Sequence, residues 1–301
     1  MISNTHSMAI FGPMRLPFLI LPPACVMLGA ATATWSGSEI SLYYLILAFV
    51  GALSAHISVN ALNEYHDFMS GLDFHTQPTP FSGGSGTLPR SPEKAHFALI
   101  TGLATLAITA IIGIYFLYAR GLWLLPLGAT GLIIVVTYTK WITRSPLLCL
   151  IVPGLGFGPL MVMGTDFVLT GSYSWTSFVA SLVPFFLVSD LLLLNQFPDV
   201  EADKWVGRKH LPIAIGRKTS AKVYVVFLAA TYMAIILGYI SGTLPLEGFL
   251  ALASIVLAVP TVRGVTRYAD DIPSLIPYMG RNVIINILTP VLLAIGLFIG
   301  R

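Results

Sequence analysis

Charged side chains are scarce in this sequence. Only 10% of its 301 residues are Asp, Glu, Lys or Arg, whereas 56% are apolar. A soluble domain carries about 25% charged residues, so the composition excludes an ordinary soluble protein. The net charge of +3 is too small to indicate a nucleic-acid partner, and none is expected. The two cysteines, Cys25 and Cys149, lie in apolar stretches, which argues against a disulfide framework.

Long apolar runs occupy most of the chain. A bilayer core of about 30 Å needs about 20 apolar residues in a helix. The runs of sufficient length that carry little or no charge are residues 16–37, 41–62, 95–118, 122–139, 147–170, 176–197, 222–241, 245–262 and 281–300. The sequence therefore predicts an all-α membrane protein, a bundle of nine transmembrane helices that forms a single domain over residues 1–301 and is surrounded by the lipid bilayer.

The loops between these spans divide the basic residues unequally. With nine spans, fourteen Lys and Arg residues fall on one side of the membrane and two, Arg120 and Arg301, on the other. Because basic loops stay in the cytoplasm, we expect an integral protein of the cell (inner) membrane with a cytoplasmic N-terminus. Two long loops, 63–94 and 198–221, and a shorter one, 263–280, then face the cytoplasm. They follow spans two, six and eight, which predicts two pseudo-repeated halves.

Acidic and amide side chains form a stripe at the end of span two and another at the end of span six. The first stripe holds Asn60, Asn63, Glu64 and Asp67, followed by Asp73, and the second holds Asn195, Asp199 and Asp203. Spacings of three, four and seven residues place the members of each stripe on one face of a helix. Carboxylates at the edge of a membrane are costly, so they indicate a functional site. The sequence predicts that site at the cytoplasmic face.

Two carboxylate stripes at one mouth of a bundle require counter-cations. Oxygen ligands favour hard divalent ions, and Mg²⁺ commonly bridges one or two carboxylates to a phosphate. The predicted metal ligands are Asp67, Asp199, Asp203, Asn63 and Asn195. Basic residues predicted on the same side, which could bind phosphate oxygens directly, are Lys140, Arg144, Arg208 and Lys209. The pattern is typical of a diphosphate-binding site.

These segments resemble the two aspartate-rich motifs of the UbiA superfamily of intramembrane prenyltransferases. The first motif reads Asn60-x-x-Asn63-Glu64-Tyr65-x-Asp67-x-x-x-Gly71-x-Asp73. The second comprises Asn195, Asp199, Asp203, Gly207, Arg208, Lys209, Leu211 and Gly216. A Gly83-Gly84-Ser85-Gly86 loop and a Gly154-Leu-Gly156-Phe-Gly158-Pro159 segment are similar to those of the menaquinone branch, the 1,4-dihydroxy-2-naphthoate polyprenyltransferases.

The resemblance implies a UbiA-like fold and Mg²⁺-dependent transfer of an isoprenyl chain from an isoprenyl diphosphate to an aromatic acceptor. The implied catalytic residues are Glu64, Asp67, Asp73, Asp199 and Asp203. The implied substrate-binding residues are Asn60, Asn63, Tyr65, Tyr138, Lys140, Arg144, Asn195, Arg208 and Lys209. Asp73, His66 and Glu64 are the candidates for taking the phenolic proton of the acceptor. Loop 74–92, with Gln77, Ser82, Ser85 and Thr87, is a candidate lid.

Four positions depart from the pattern of the branch. Glu64 stands where Asp is usual, His56 where Gln or Arg is usual, and His210 and Pro212 where Thr and a small residue are usual. These departures leave open a membrane terpene cyclase of the same superfamily, which needs no acceptor. A secondary transporter is a further alternative, although the carboxylates cluster at one face. The denser signature of a CDP-alcohol phosphotransferase does not occur in the sequence.

Two acidic residues fall inside predicted spans. Asp166 lies near the outer end of span five, where we expect it to be solvated. Asp190 lies about two turns before Asp199, and we expect it to face the cavity and pair with Lys140 or Arg144.

Overall fold

The computed structural model of the chain describes residues 12–15 and 18–301, which are helical with short connections and contain no strand within these ranges. The longer helices are labelled α1 to α9. Their bounds are Leu21–Trp35 (α1), Leu42–Met69 (α2), Pro92–Arg120 (α3), Leu122–Thr137 (α4), Pro146–Thr170 (α5), Trp175–Trp205 (α6), Arg217–Ile240 (α7), Leu246–Arg267 (α8) and Ile272–Ile299 (α9). Shorter helical segments Leu72–Phe74, Thr87–Arg90, Ile142–Arg144 and Leu211–Ile215 lie between them.

Seven helices in the described chain are long and apolar enough to cross a membrane, namely α2, α3 and α5 to α9. Helix α1 has 15 residues and α4 is likewise shorter than the others. The all-α membrane architecture predicted from the sequence is confirmed. The count of nine transmembrane helices and the repeat of two halves stay predictions.

The three loops predicted to face the cytoplasm are shorter than their predicted bounds of 63–94, 198–221 and 263–280. Helix α2 continues to Met69, α6 continues to Trp205, and α9 begins at Ile272. An apolar run marks only the part of a helix that lies in lipid, whereas backbone hydrogen bonding extends beyond it. The two carboxylate stripes therefore lie mainly on the last turns of α2 and α6, which hold them more rigidly than loops would.

Helices α1 and α6 form the centre of the bundle. Almost all of α1 is buried, and α6 is the most buried of the long helices. Helix α6 packs against α5, α7 and α9, and α1 packs against α5 and α9, while α2 packs mainly against α3. The largest group of buried apolar side chains accordingly comes from α1 and α5 to α9. The end of α6 that carries the second carboxylate stripe is thus fixed by neighbours on several sides.

Glycines let α5 approach α6 closely. A Cβ atom at Gly154 would lie 2.2 Å from the carbonyl oxygen of Phe185, and one at Gly158 would lie 2.4 Å from that of Ser181. This Gly-x-x-x-Gly spacing is a common device of membrane helices, because small residues allow backbones to approach. Residues Gly156–Met163 of α5 form a π-helical stretch that contains Pro159. Proline has no N–H to donate, which favours such a local change of hydrogen bonding.

Asp166 is buried near the end of α5 and the start of α6, so the prediction that it is solvated is wrong. Its two carboxylate oxygens accept hydrogen bonds from Thr32 (2.8 Å) and Ser174 (3.0 Å). Ser174 also caps the first turn of α6 by accepting from the backbone of Ser177. The carboxylate therefore ties α1, α5 and the start of α6 together.

Asp190 is fully buried in α6, and the structure gives its carboxyl oxygens no hydrogen-bond partner among the described residues. Lys140 and Arg144 are exposed. The predicted pairing with either of them is therefore wrong. The side chain of Asp190 is buried in the helix-packed core and lines neither of the cavities described below.

We expect Gly158→Ala to lower the stability of the protein by about 1–3 kcal/mol, because its Cβ would overlap the Ser181 carbonyl oxygen. Thermal unfolding in detergent measures this. Gly156→Ala is the matched control on the same turn, since no atom lies within 4 Å of its added Cβ. Equal unfolding temperatures for the two variants would contradict the close helix approach.

Candidate active site

A polar cavity of about 100 Å³ lies where α2 and α6 end. Its walls come from α2, the segment after α2, loop 76–84, the ends of α4 and α6, and the segment after α6. The predicted site residues that line it are Asn63, Asp67, Asp73, Tyr138, Asn195, Asp199, Asp203 and Arg208. The structure therefore brings together side chains from both motifs, which are far apart in the sequence.

Arg208 joins the two motifs directly. Its guanidinium donates one hydrogen bond to Asp203 at 2.8 Å and another to Asp67. All three side chains are largely buried, with exposed fractions of 16% for Arg208, 6% for Asp203 and 9% for Asp67. Although burial opposes its charge, the two carboxylates raise the pKa of Arg208 above its usual value. Arg208 is thus the counter-charge that allows two buried carboxylates to lie close together.

His210 completes this cluster from the segment after α6. Its Nε2 lies 3.0 Å from the second carboxylate oxygen of Asp203, and the ring is buried. Both oxygens of Asp203 are therefore engaged, one by Arg208 and one by His210. These two contacts fix the orientation of the Asp203 carboxylate in the cavity wall.

The amide of Asn63 orients Asp67 on the opposite side of the cavity. It donates to the second carboxylate oxygen of Asp67 at 3.0 Å and to the hydroxyl of Thr139 at 3.3 Å. These two bonds link the end of α2 to the segment after α4. Asp199, one turn before Asp203 on α6, keeps one carboxylate oxygen without a hydrogen-bond partner in the described chain.

The glycine-rich loop is fastened to α2 through Glu64. Both carboxylate oxygens of Glu64 accept from the backbone N–H of Ser85 (3.0 and 3.1 Å), and the Ser85 hydroxyl also donates to it. Gly84 has a φ of +75°, and a Cβ there would lie 3.2 Å from Asp73. Both the backbone conformation and the close approach therefore favour glycine. Phe81, Ser82, Gly83 and Gly84 line the cavity as a result.

Asp73 follows α2 and faces the same cavity. Burial, together with the neighbouring Glu64 and Asp67 carboxylates, raises the pKa of Asp73 to about 7. One of its oxygens is buried without a hydrogen-bond partner in the described part of the chain. Asp73 and Asp199 are thus the carboxylates of the cavity that retain an unpaired oxygen.

An apolar cavity of about 310 Å³ adjoins the polar one. The two share Arg15, Asn63, Tyr138 and Leu192 in their walls. The apolar cavity follows α2 from Asn63 to Ala48, a distance of about 22 Å at 1.5 Å per helical residue. Phe157 lines it, and His56 contacts that ring edge-on at 5.1 Å between centroids. A polar head and a long apolar tail could therefore occupy the two cavities together.

Four residues predicted to bind substrate do not line either cavity of the described chain. Lys140, Arg144 and Lys209 are exposed, and the ring of Tyr65 packs beside His66 on another face of α2. These residues were predicted on the same side of the membrane as the motifs, but that prediction was not enough to identify side chains that reach the cavities. Asn60 does reach the apolar cavity, where its amide contacts His56 (3.1 Å) and donates to the carbonyl of Met14 (3.2 Å).

Arg15 and His210 belong to the site but were not predicted from the sequence as site residues. Arg15 lines both cavities, and its Nε lies 3.7 Å from Glu64. The bond from Asn60 to Met14 holds this segment at the junction of the two cavities. Arg15 lies outside both motifs, so no sequence spacing indicated that it belongs to the site. His210 could have been noticed, because it directly follows Arg208 and Lys209 of the second motif.

The donor set of the polar cavity fits a divalent cation that enters with a phosphate-containing ligand. No three His, Cys, Asp or Glu side chains of the described residues converge into a ready metal cluster. Arg208 already takes oxygens of Asp67 and Asp203. The unpaired oxygens of Asp73 and Asp199 nevertheless remain available, and Mg²⁺ needs only one or two carboxylates when phosphate oxygens complete its shell.

Comparisons with known proteins agree with this geometry. The 1,4-dihydroxy-2-naphthoate octaprenyltransferase of Bacillus subtilis is 28% identical over 281 residues, which cover 91% of this chain and 87% of the relative. A solved digeranylgeranylglyceryl phosphate synthase superposes with a TM-score of 0.66 at 14% identity, covering 98% of this chain and 99% of that one.

A UbiA homologue from Archaeoglobus fulgidus, bound to DMAPP and Mg²⁺, superposes with a TM-score of 0.59 at 15% identity, covering 95% of this chain and 99% of that one. At 14–15% identity, these superpositions show that the chain has the same fold as the solved structures. The model of the UbiA prenyltransferase family matches residues 20–275. The chain therefore belongs to the UbiA prenyltransferase family and is a membrane prenyltransferase.

Proposed function

We propose that the protein transfers an isoprenyl chain from an allylic diphosphate to an aromatic quinone precursor such as 1,4-dihydroxy-2-naphthoate, in an Mg²⁺-dependent reaction at the cytoplasmic side of the cell membrane. The observation that carries this proposal is the convergence of both carboxylate motifs and Arg208 on a polar cavity that adjoins a long apolar one. The naphthoate prenyltransferase from Bacillus subtilis and the DMAPP- and Mg²⁺-bound homologue support the choice of acceptor, donor and metal.

The diphosphate of the donor binds in the polar cavity. Asp199, which keeps an unpaired oxygen, would hold the accompanying cation together with the amide oxygens of Asn63 and Asn195. Asp67 would join them once Arg208 gives up part of its contact with Asp67 to the phosphate. Mg²⁺ supplies positive charge that makes diphosphate a better leaving group. Arg208 and Arg15 face the phosphate oxygens and stabilise the charge that develops on them as the C–O bond breaks. Asp203, engaged by Arg208 and His210, keeps the guanidinium in position, although the sequence assigned it to the metal.

The allylic carbon then accepts an electron pair from a ring carbon of the acceptor. Of the three candidates for the phenolic proton, Asp73 lines the polar cavity, whereas Glu64 is engaged by Ser85. We therefore assign Asp73 to the proton and Glu64 to holding the loop. Tyr138 lines both cavities, which supports a role for its ring in stabilising the allylic cation.

The loop that contains Phe81 to Ser85 covers the polar cavity. Water would convert the allylic cation to an alcohol, so the site has to exclude it. The attachment of Ser85 to Glu64 holds the loop in the closed position, and the positive φ angles of Gly83, Gly84 and Gly86 provide its turns. The loop therefore acts as a lid over the donor.

The proposal is tested with purified protein in liposomes and labelled geranylgeranyl diphosphate, with and without 1,4-dihydroxy-2-naphthoate or 4-hydroxybenzoate. We expect a prenylated naphthoate product, with diphosphate release that depends on the acceptor. Formation of a cyclic hydrocarbon without acceptor would identify a terpene cyclase instead. Failure to consume any isoprenyl diphosphate would reject the proposal.

Asp199→Asn should lower kcat at least about 100-fold, because it removes a carboxylate proposed to hold the cation that neutralises the leaving diphosphate. Asp67→Asn should have a similar effect, but Asp67 also pairs with Arg208, so Asp199→Asn is the clearer variant. The control is Asp270→Asn, since Asp270 is exposed and pairs only with Lys218 in the described structure, at 3.3 Å. Near-normal turnover by Asp199→Asn, with the control also active, would contradict the site.

Removing divalent cations with EDTA should abolish transfer, and added Mg²⁺ should restore it. The same requirement should appear in thermal unfolding, because a ligand raises the unfolding temperature only when it binds the folded protein. We expect geranyl diphosphate plus Mg²⁺ to raise that temperature more than either alone. Equal stabilisation by the diphosphate with and without Mg²⁺ would argue against cation-assisted binding.

A further inference from the structure

Glycines that serve no packing purpose line the apolar cavity. They are Gly113 on α3, Gly128 and Gly131 on α4, and Gly156 on α5. At Gly113, Gly128 and Gly156 no atom lies within 4 Å of an added Cβ, and at Gly131 the nearest is a methyl group of Leu160 at 3.8 Å. Gly154 and Gly158, by contrast, face the backbone of α6. The absent side chains of the first group leave space inside the cavity.

This open space matters because glycine weakens a helix relative to alanine. Helix packing does not explain glycine at these positions, since an added Cβ has room at all four and makes only an ordinary contact with Leu160 at Gly131. An occupant of the cavity does explain it. The walls around these glycines are aliphatic and aromatic, with Leu127, Leu132, Phe157 and Leu160 among them, so the occupant is an apolar chain.

Gly131 and Gly128 lie at two depths along α4. Tyr138, at the end of this helix, belongs to both cavities and marks the inner entrance. At 1.5 Å per residue, Gly131 is about 10 Å and Gly128 about 15 Å from Tyr138 along the helix. Beyond them the cavity is bounded by Phe116, Leu124 and Val168, which are 4–6% exposed. The cavity therefore has an inner entrance, two glycine positions at different depths and a buried outer end.

We propose that Gly128 and Gly131 determine which lengths of isoprenyl chain the protein accepts, an inference that rests on the proposed function. A side chain at either position projects into the path of the tail and stops it at that depth. Because Gly131 is nearer the entrance, a side chain there excludes shorter donors than one at Gly128 does. The native glycines leave the path open to the outer end.

The test compares Gly131→Leu, Gly128→Leu and the native protein, with geranyl, farnesyl, geranylgeranyl and octaprenyl diphosphates as donors. Thr130→Leu is the matched control, because Thr130 lies on the same helix, is exposed, and is not among the described residues that line either cavity. The measured quantity is kcat/KM for each donor, expressed relative to that for geranyl diphosphate.

We expect each glycine variant to lower this ratio at least about tenfold for donors beyond a cut-off, since a pocket readily discriminates chain length at that level. The cut-off should fall at a shorter donor for Gly131→Leu than for Gly128→Leu. Thr130→Leu should keep the native ratios. Unchanged ratios in both glycine variants, the same cut-off for both, or an equal loss for all donors would overturn the proposal.

Two further measurements separate this proposal from its premise. Binding of unreactive thiolodiphosphate analogues of each length, followed by thermal shift, reports the cut-off even if the native protein transfers no prenyl group. Gly131→Ala should shift the ratios in the same direction by a smaller amount. Its Cβ fits beside Leu160. This variant therefore replaces Gly131→Leu in the test if Gly131→Leu does not elute as a monodisperse protein. Native ratios in Gly131→Ala together with an unfolded Gly131→Leu would count against the proposal.

Discussion

The guanidinium of Arg208, shared between Asp67 and Asp203, is the contact on which the site depends. Asp67 lies in the last turn of α2 and Asp203 in the last turn of α6. The pairing of Arg208 with Asp67 spans 141 residues of sequence. Two buried carboxylates repel each other and lose hydration, so neither would stay charged in this position alone. Removing one partner of such a buried pair typically costs about 3–5 kcal/mol, because an uncompensated charge remains. The arginine therefore holds the ends of α2 and α6 at one cavity.

The carboxylates of the site fall into two groups according to whether their oxygens are engaged. Asp67, Asp203 and Glu64 are engaged by Arg208, His210 and Ser85, so they fix the shape of the cavity. Asp73 and Asp199 each keep an unpaired oxygen, so they are free to meet a charged ligand. A cation and diphosphate that enter together bring both signs of charge, which lets the arginine exchange part of its contact with Asp67 for phosphate without leaving a buried charge unpaired.

The sequence was sufficient to locate the two motifs, because helical spacing alone places Asn63 with Asp67 and Asp199 with Asp203. The sequence did not show which of the other side chains reach the cavity or where the helices end. Lys140, Arg144 and Lys209 lie on the predicted side but are exposed, since a membrane face is far wider than one cavity. Arg15 lies at the site through its contact with Glu64 and the bond from Asn60 to the neighbouring Met14, neither of which a sequence spacing marks. Helix ends were misjudged because hydropathy follows lipid contact, whereas α2 and α6 continue beyond it.

The segment from Gly154 to Gly158 shows why glycines in a membrane sequence cannot be interpreted without coordinates. Gly154 and Gly158 face α6 at distances that no side chain could fit, whereas Gly156, between them, faces the open apolar cavity. Side chains two residues apart point to different sides of a helix, so one short segment both packs α5 tightly and leaves room beside it. The π-helical stretch that begins at Gly156 supports this arrangement, because it turns Phe157, Leu160 and Met161 towards the cavity wall. Close packing on one face of α5 is thus what holds the cavity on its other face at a fixed width.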